Sequence, residues 1–94
     1  MAATAGAAPV LRVHRGDVEA LAAAGTTQYH VFPGTTHTVC LLTLPNGFTV
    51  TGESSCVDPR TFDAATGRRM AYERARDKLW ALEGYRLRCM TDNP

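Results

Sequence analysis

The sequence predicts an α+β fold, an antiparallel three-stranded sheet (a hairpin plus a C-terminal strand) packed by one long and one short helix. Three observations predict it. The runs Thr38-Val39-Cys40-Leu41-Leu42-Thr43-Leu44 and Phe48-Thr49-Val50-Thr51-Gly52-Glu53 flank Pro45-Asn46-Gly47, a turn signal between two β-forming segments. Gly67, Ala71, Ala75, Leu79 and Leu82 fall on one stripe at about 100° per residue, with Tyr72 at its edge. Tyr85-Arg86-Leu87-Arg88-Cys89 alternates with the period of a strand.

Taken in order, residues 1–12 read as a flexible tail and residues 13–90 as one domain, with residues 91–94 frayed at the end. A short helix comes first. Asp17 suits its N-cap, Val18, Leu21 and Ala22 gather on one face, and Gly25 suits a left-handed stop. At about two turns it is too short to stand without docking. Thr26 to Phe32 reads as an irregular strand, closed by a Pro33-Gly34 turn.

The hairpin register follows from where the apolar side chains must go. A two-residue Asn46-Gly47 loop splits them between faces. A three-residue loop pairs Leu44 with Phe48, Leu42 with Val50 and Cys40 with Gly52, which collects them on one face. It also suits a type I turn with Gly47 in a G1 bulge. Asp58 then caps a turn with Pro59 at its first position, and Asp63 caps a helix from about Ala64 to Glu83, ended by Gly84. The spacing of Gly67, Ala71 and Ala75 lets the helix backbone lie close to the sheet, so Ala71→Leu is expected to overpack it at about 1–3 kcal/mol.

Composition narrows the chemistry. Net charge is +1, from ten Lys and Arg against nine Asp and Glu, which fits neither a strongly basic nonspecific DNA binder nor an acidic DNA mimic. No apolar run approaches the length of a membrane span. Cys40, Cys56 and Cys89 are odd in number and widely spaced, and His14, His30 and His37 lack zinc-ligand spacing, so the cysteines read as reduced small hydrophobes in a cytosol. Ser54, Ser55 and Cys56 stand at a strand-to-helix junction where a nucleophile fits, but no elbow pattern or histidine partner accompanies them. Glu53 with Asp58 or Glu83 reads as surface charge, and His37 as structural. No catalytic residue, cofactor or metal is expected.

A candidate partner surface lies on the long helix. Arg69, Glu73 and Arg76 form its polar side, and Trp80 falls among those charges; with Tyr85 they are the candidate binding residues. The bland alternatives are a solvated face and a Trp80 covered by the first helix or by the segment after Tyr85.

The stretch Leu42 to Val57, L-T-L-P-N-G-F-T-V-T-G-E-S-S-C-V, followed by F-D-A-A-T-G-R-R-M-A-Y-E-R-A-R-D-K-L-W-A-L-E-G-Y-R-L, resembles the small tailed-phage proteins known as Gp forty-nine and Gp sixty-six. The resemblance rests on Asn46, Gly47, Phe48, Gly52, Glu53, Ser54, Phe62, Gly67, Ala71, Tyr72, Ala75, Trp80, Glu83, Gly84 and Tyr85. It implies a phage or prophage origin and action in the bacterial host cytoplasm. It implies no enzyme activity.

Three functions fit. The first is a non-catalytic binding protein that inhibits a host or defence complex, in the manner of anti-CRISPR proteins, an analogy of class. The second is a nucleic-acid or nucleotide binder using Arg68, Arg69, Arg74, Arg76, Lys78, Arg86 and Arg88, with Tyr72, Trp80 and Tyr85 for stacking. The third is an oligomeric structural component joined through the helix face or a sheet edge. A monomer or homodimer without membrane contact is expected.

Overall fold

The computed structural model describes residues 10–92. The elements are α1 (Arg15–Ala24), β1 (Thr26–Val31), β2 (Thr38–Thr43), β3 (Thr49–Ser54), a 3-10 turn at Pro59–Thr61, α2 (Ala64–Asp77) and α3 (Leu79–Asp92). The strands form one antiparallel sheet in the order β1-β2-β3. The architecture is therefore α+β, with a short helix and a long helical segment on a three-stranded sheet.

The hairpin adopts the bulged register. Cys40 pairs with Gly52 and Leu42 with Val50. The Gly47 amide donates to the Leu44 carbonyl at 2.8 Å, and the Leu44 amide to the Phe48 carbonyl at 2.8 Å. Gly47 takes φ +91°, the left-handed conformation the bulge requires. Asn46 Oδ1 accepts the Phe48 amide at 2.9 Å, which fixes the turn. Alternation then buries Thr38, Cys40, Leu42 and Leu44 on the helix side of β2.

Above that face, α2 lies almost in backbone contact with β3. A Cβ at Gly52 would land on the Ala71 carbonyl oxygen and the Ala75 amide nitrogen, both backbone atoms that cannot step aside. Ala71 and Ala75 are themselves fully buried. Toward the start of α2, a Cβ on Gly67 would stand 2.9 Å from Thr38 Oγ1, and Ser54 Oγ donates to the Gly67 carbonyl at 2.8 Å. Val18 and Ala22 from α1 close the core with Leu42, Leu44 and Leu79.

Several local expectations are corrected. The third strand is β1, not the C-terminal segment; Tyr85 to Cys89 lie in α3. Five alternating residues fit either period. The helix formers Leu, Arg and Met favour continuation, whereas β-branched and aromatic Thr26-Thr27-Gln28-Tyr29-His30-Val31 favours the strand. Gly84 does not stop the helix; its missing side chain lies beside Val13, 3.9 Å from where a Cβ would stand. A one-residue interruption comes earlier, at Lys78, which keeps helical dihedrals, and the buried stripe ends at Leu79, with Leu82 38% exposed. Phe48 is exposed at the hairpin end although Val50 packs on the core.

At α1, His14 occupies the N-cap position without a side-chain cap and Asp17 falls in the first turn, where its charge still suits the helix dipole. Gly25 is extended rather than left-handed; it is glycine because a Cβ would stand 2.5 Å from the Thr43 carbonyl oxygen. α3 continues to Asp92, past the expected fraying point. Most of the expected tail lies outside the described residues, as do the last two positions.

Both predicted caps form. Asp58 accepts the Arg60 amide at 3.0 Å and its guanidinium at 2.8 Å, and Asp63 accepts the Thr66 amide at 3.3 Å. Bonding to the Arg60 side chain and amide holds the Asp58 carboxyl below the ordinary aspartate range, and the Thr66 hydroxyl and amide do the same for Asp63.

Gly52→Ala forces α2 off the sheet and is expected to cost about 3 kcal/mol or abolish folding. Gly16→Ala, where a Cβ meets nothing within 4 Å, is expected to gain about 0.5 kcal/mol by helix propensity. Urea titrations of both variants check the pair. Because the folded-state pKa of Asp63 is depressed, its contribution is present above the ordinary Asp value of about 3.9 and lost as pH falls through the folded value. Asp63→Asn keeps a capping acceptor that does not titrate, so it should flatten the acid limb of a stability-pH profile while leaving neutral stability nearly unchanged.

Candidate interaction surface

The Lys78 interruption divides the helical segment by role. α2 follows the sheet, while α3 is seated through buried Leu79, with α1 and the segment before it alongside. Among the described residues its opposite side is open. Ala81, Tyr85 and Cys89 are exposed in a row four residues apart, with Leu82 beside them. Tyr85 is 73% exposed.

Next to this row runs a groove of about 540 Å³ between the hairpin turn, α1 and α3. Leu21, Leu44, Pro45, Phe48 and Leu82 give it apolar walls. Glu83 and Arg86, ion-paired at 3.1 Å, lie on its polar side. Phe48 and Leu82 also line a shallower hollow along β3 with Lys78 and Ala81, so the apolar surface continues from the turn onto α3.

The residues singled out from the sequence are only partly brought together. Arg69, Glu73 and Arg76 share one side of α2 by helical spacing. Arg69 pairs with Glu73 at 3.5 Å, and Arg76 pairs with Asp77 at 3.2 Å with only 26% of its side chain exposed. Trp80 follows Arg76 by one turn, across Lys78, and is 37% exposed. Tyr85 comes five residues after Trp80, about 140° further round the helix, on the open row.

The basic half of the chain is largely engaged. Besides these pairs, Arg74 Nη1 donates to the Glu53 carbonyl at 2.7 Å and Arg86 is held by Glu83. The neighbouring carboxylates offset the positive charge that a phosphate would meet at Arg69, Arg76 or Arg86.

The register creates one constellation that the sequence reading does not assign. It sets His37 across from Ser55, with His37 Nδ1 2.6 Å from Ser55 Oγ and Nε2 3.1 Å from Glu53 Oε2. The signal was available, because the pairing of Leu44 with Phe48, extended along both strands, makes His37 and Ser55 partners. A serine, a histidine and a carboxylate in series can relay a proton, but acyl transfer also needs amides free to hold the developing oxyanion. The amide after Ser55, that of Cys56, donates to Thr36 Oγ1 at 3.1 Å, and Thr36 Oγ1 donates to the Cys56 carbonyl at 2.7 Å. These contacts clamp the open ends of β2 and β3.

Of the cysteines, Cys40 is buried, which pushes its thiol pKa up. Cys56 Sγ bonds the Asp58 carbonyl at 3.1 Å, and Cys89 is exposed. Among the described residues no cluster of three His, Cys, Asp or Glu is arranged to hold a metal ion. No helix among them is long and apolar enough to cross a membrane.

The model of the phage protein (N4 Gp49/phage Sf6 gene 66) family matches residues 13–90. The chain belongs to this family. The match begins before α1 and ends within α3, so it takes in the sheet, the close helix contact and the whole open row together. No curated protein and no solved structure matches this phage protein.

The partial exposure of Trp80 has a direct readout. Iodide should quench its fluorescence measurably, yet less steeply than it quenches free tryptophan. Complete protection, or quenching equal to the free amino acid, would contradict the placement of Trp80.

Proposed function

We propose that this phage protein acts in the host cytoplasm by binding and blocking a host or defence protein complex, without catalysing a reaction. The uncovered apolar row of α3 beside the hairpin groove carries this reading. Scattered exposed apolar residues are ordinary, but a contiguous surface of Phe48, Leu82, Ala81 and Tyr85 is what a partner covers. Tyr85 and Trp80 are residue types that anchor interfaces, and Arg76, Arg69 and Glu73 would form the polar margin on the Trp80 side. Glu73, Asp77 and Glu83 beside Arg69, Arg76 and Arg86 offset the local positive charge, which weighs against the nucleic-acid alternative.

The test is a pull-down with tagged full-length protein from host lysate, repeated with purified complex once one is recovered. One complex is expected at near-stoichiometric yield. Tyr85→Glu and Leu82→Glu are expected to weaken capture at least about tenfold, and Arg69→Ala much less. Recovery of the protein alone would overturn the reading. Recovery of nucleic acid that is lost at moderate salt and indifferent to Tyr85→Glu would replace it with the alternative.

A further inference from the structure

The two edges of the sheet are treated differently. On β3 the outward-facing backbone groups belong to Thr49, Thr51 and Glu53, because Leu44–Phe48 is a hydrogen-bonded pair and bonding alternates from there. That edge is obstructed, since Arg74 reaches from α2 to the Glu53 carbonyl at 2.7 Å and Glu53 adds a charge. Charges of this kind keep sheet edges from pairing with other chains.

Among the described residues, β1 has no such device. The Phe32 amide donates to the His37 carbonyl, so Phe32, His30, Gln28 and Thr26 face β2, while the amides and carbonyls of Thr27, Tyr29 and Val31 point away from the sheet. The strand contains no charged residue, proline, glycine or bulge. Thr26 through His30 are all exposed, and Tyr29 is 39% exposed.

We infer that β1 pairs with β1 of a second copy of this chain, antiparallel across a two-fold axis through Tyr29, to form a continuous six-stranded sheet. The register follows from the outward groups. Setting Tyr29 opposite Tyr29 of the second copy places Thr27 opposite Val31 twice, and all three outward residues of each strand bond. Each hydrogen-bonded pair exchanges two bonds, about six in all. A slip of two residues either way loses one of the three pairs.

The side chains match in the same register. Thr27, Tyr29 and Val31 project on the helix side, beside Leu42, Cys40 and Thr38. The two Tyr29 rings meet at the axis, flanked by Thr–Val pairs, an aromatic and β-branched set that favours cross-strand contact. An uncharged strand meets no repulsion from its own copy. A charged host peptide would find no complementary charge here. The interface uses the sheet edge opposite β3, so it leaves the α3 row free and stands independently of the function proposed above.

Light scattering and sedimentation equilibrium of the full chain, from about 1 to 500 µM, test it, since an edge-strand interface is small and its dimer is expected to be weak. Wild type is expected to shift from monomer to dimer across that range. Tyr29→Lys places like charges at the axis and should weaken the dimer at least about tenfold. Mixing Tyr29→Lys with Tyr29→Glu should restore association as a heterodimer. Thr27→Pro removes an outward amide without a β1–β2 bond, so it should weaken the dimer while far-UV circular dichroism stays unchanged. A wild type that stays monomeric throughout overturns the inference. So does a dimer indifferent to the Tyr29 variants, or a mixture that fails to associate, and strand addition by a host peptide without self-association would assign the edge to another occupant.

Discussion

Everything in this fold is arranged around the contact between Gly52 on β3 and the Ala71–Ala75 turn of α2. No side chain stands between the strand and the helix there. So close an approach is available only if strand and helix are both small at the same height, and only in the hairpin register that turns residue 52 toward the helix. A slip of one residue would put Glu53 or Thr51 under α2. The three-residue turn at Pro45-Asn46-Gly47 is thus coupled to a helix contact far along the hairpin.

Close approach also sets what the interior can be. The largest fully buried side chains are Leu42 and Leu79, and the rest of the apolar core is mostly Val, Ala and Cys. Such a core is thin, and α1 is needed to close its end. With the interior filled in this way, binding is left to surfaces. The C-terminal helix supplies one, because past buried Leu79 it carries Leu82 and Tyr85 exposed. Arg74 contributes from the other helix by covering the β3 edge, which among the described residues leaves β1 as the bare one.

Much of this was legible in the residues, for identifiable reasons. The hairpin register was readable because only one loop length gathers Leu42, Leu44 and Val50 on a face. The caps at Asp58 and Asp63 were readable because a short acceptor before a helix has a strong local signature. The Gly67, Ala71 and Ala75 stripe was readable from periodicity. What failed was decided by tertiary contact. Tyr85 to Cys89 alternates as a strand would, but the sheet took Thr26 to Val31 beside β2 instead. Gly84 looked like a stop, but the helix runs through it, with room for a Cβ beside Val13. At the candidate site, Tyr85 and Trp80 are both exposed as a binding role requires, but the separation of their faces depends on α3 being helical. The Ser55, His37 and Glu53 contacts needed the register carried past the strand ends.

The central claim is that α2 rests backbone-to-backbone on β3. Nuclear Overhauser contacts in isotopically labelled protein measure this most directly. Strong cross-peaks should link the two Gly52 α-protons to the Ala71 α-proton and the Ala75 amide proton, with helical chemical shifts continuing through Cys89. Their absence, together with strand-type shifts at residues 85–89, would mean that the helix is seated elsewhere and that the surfaces derived from it are wrong.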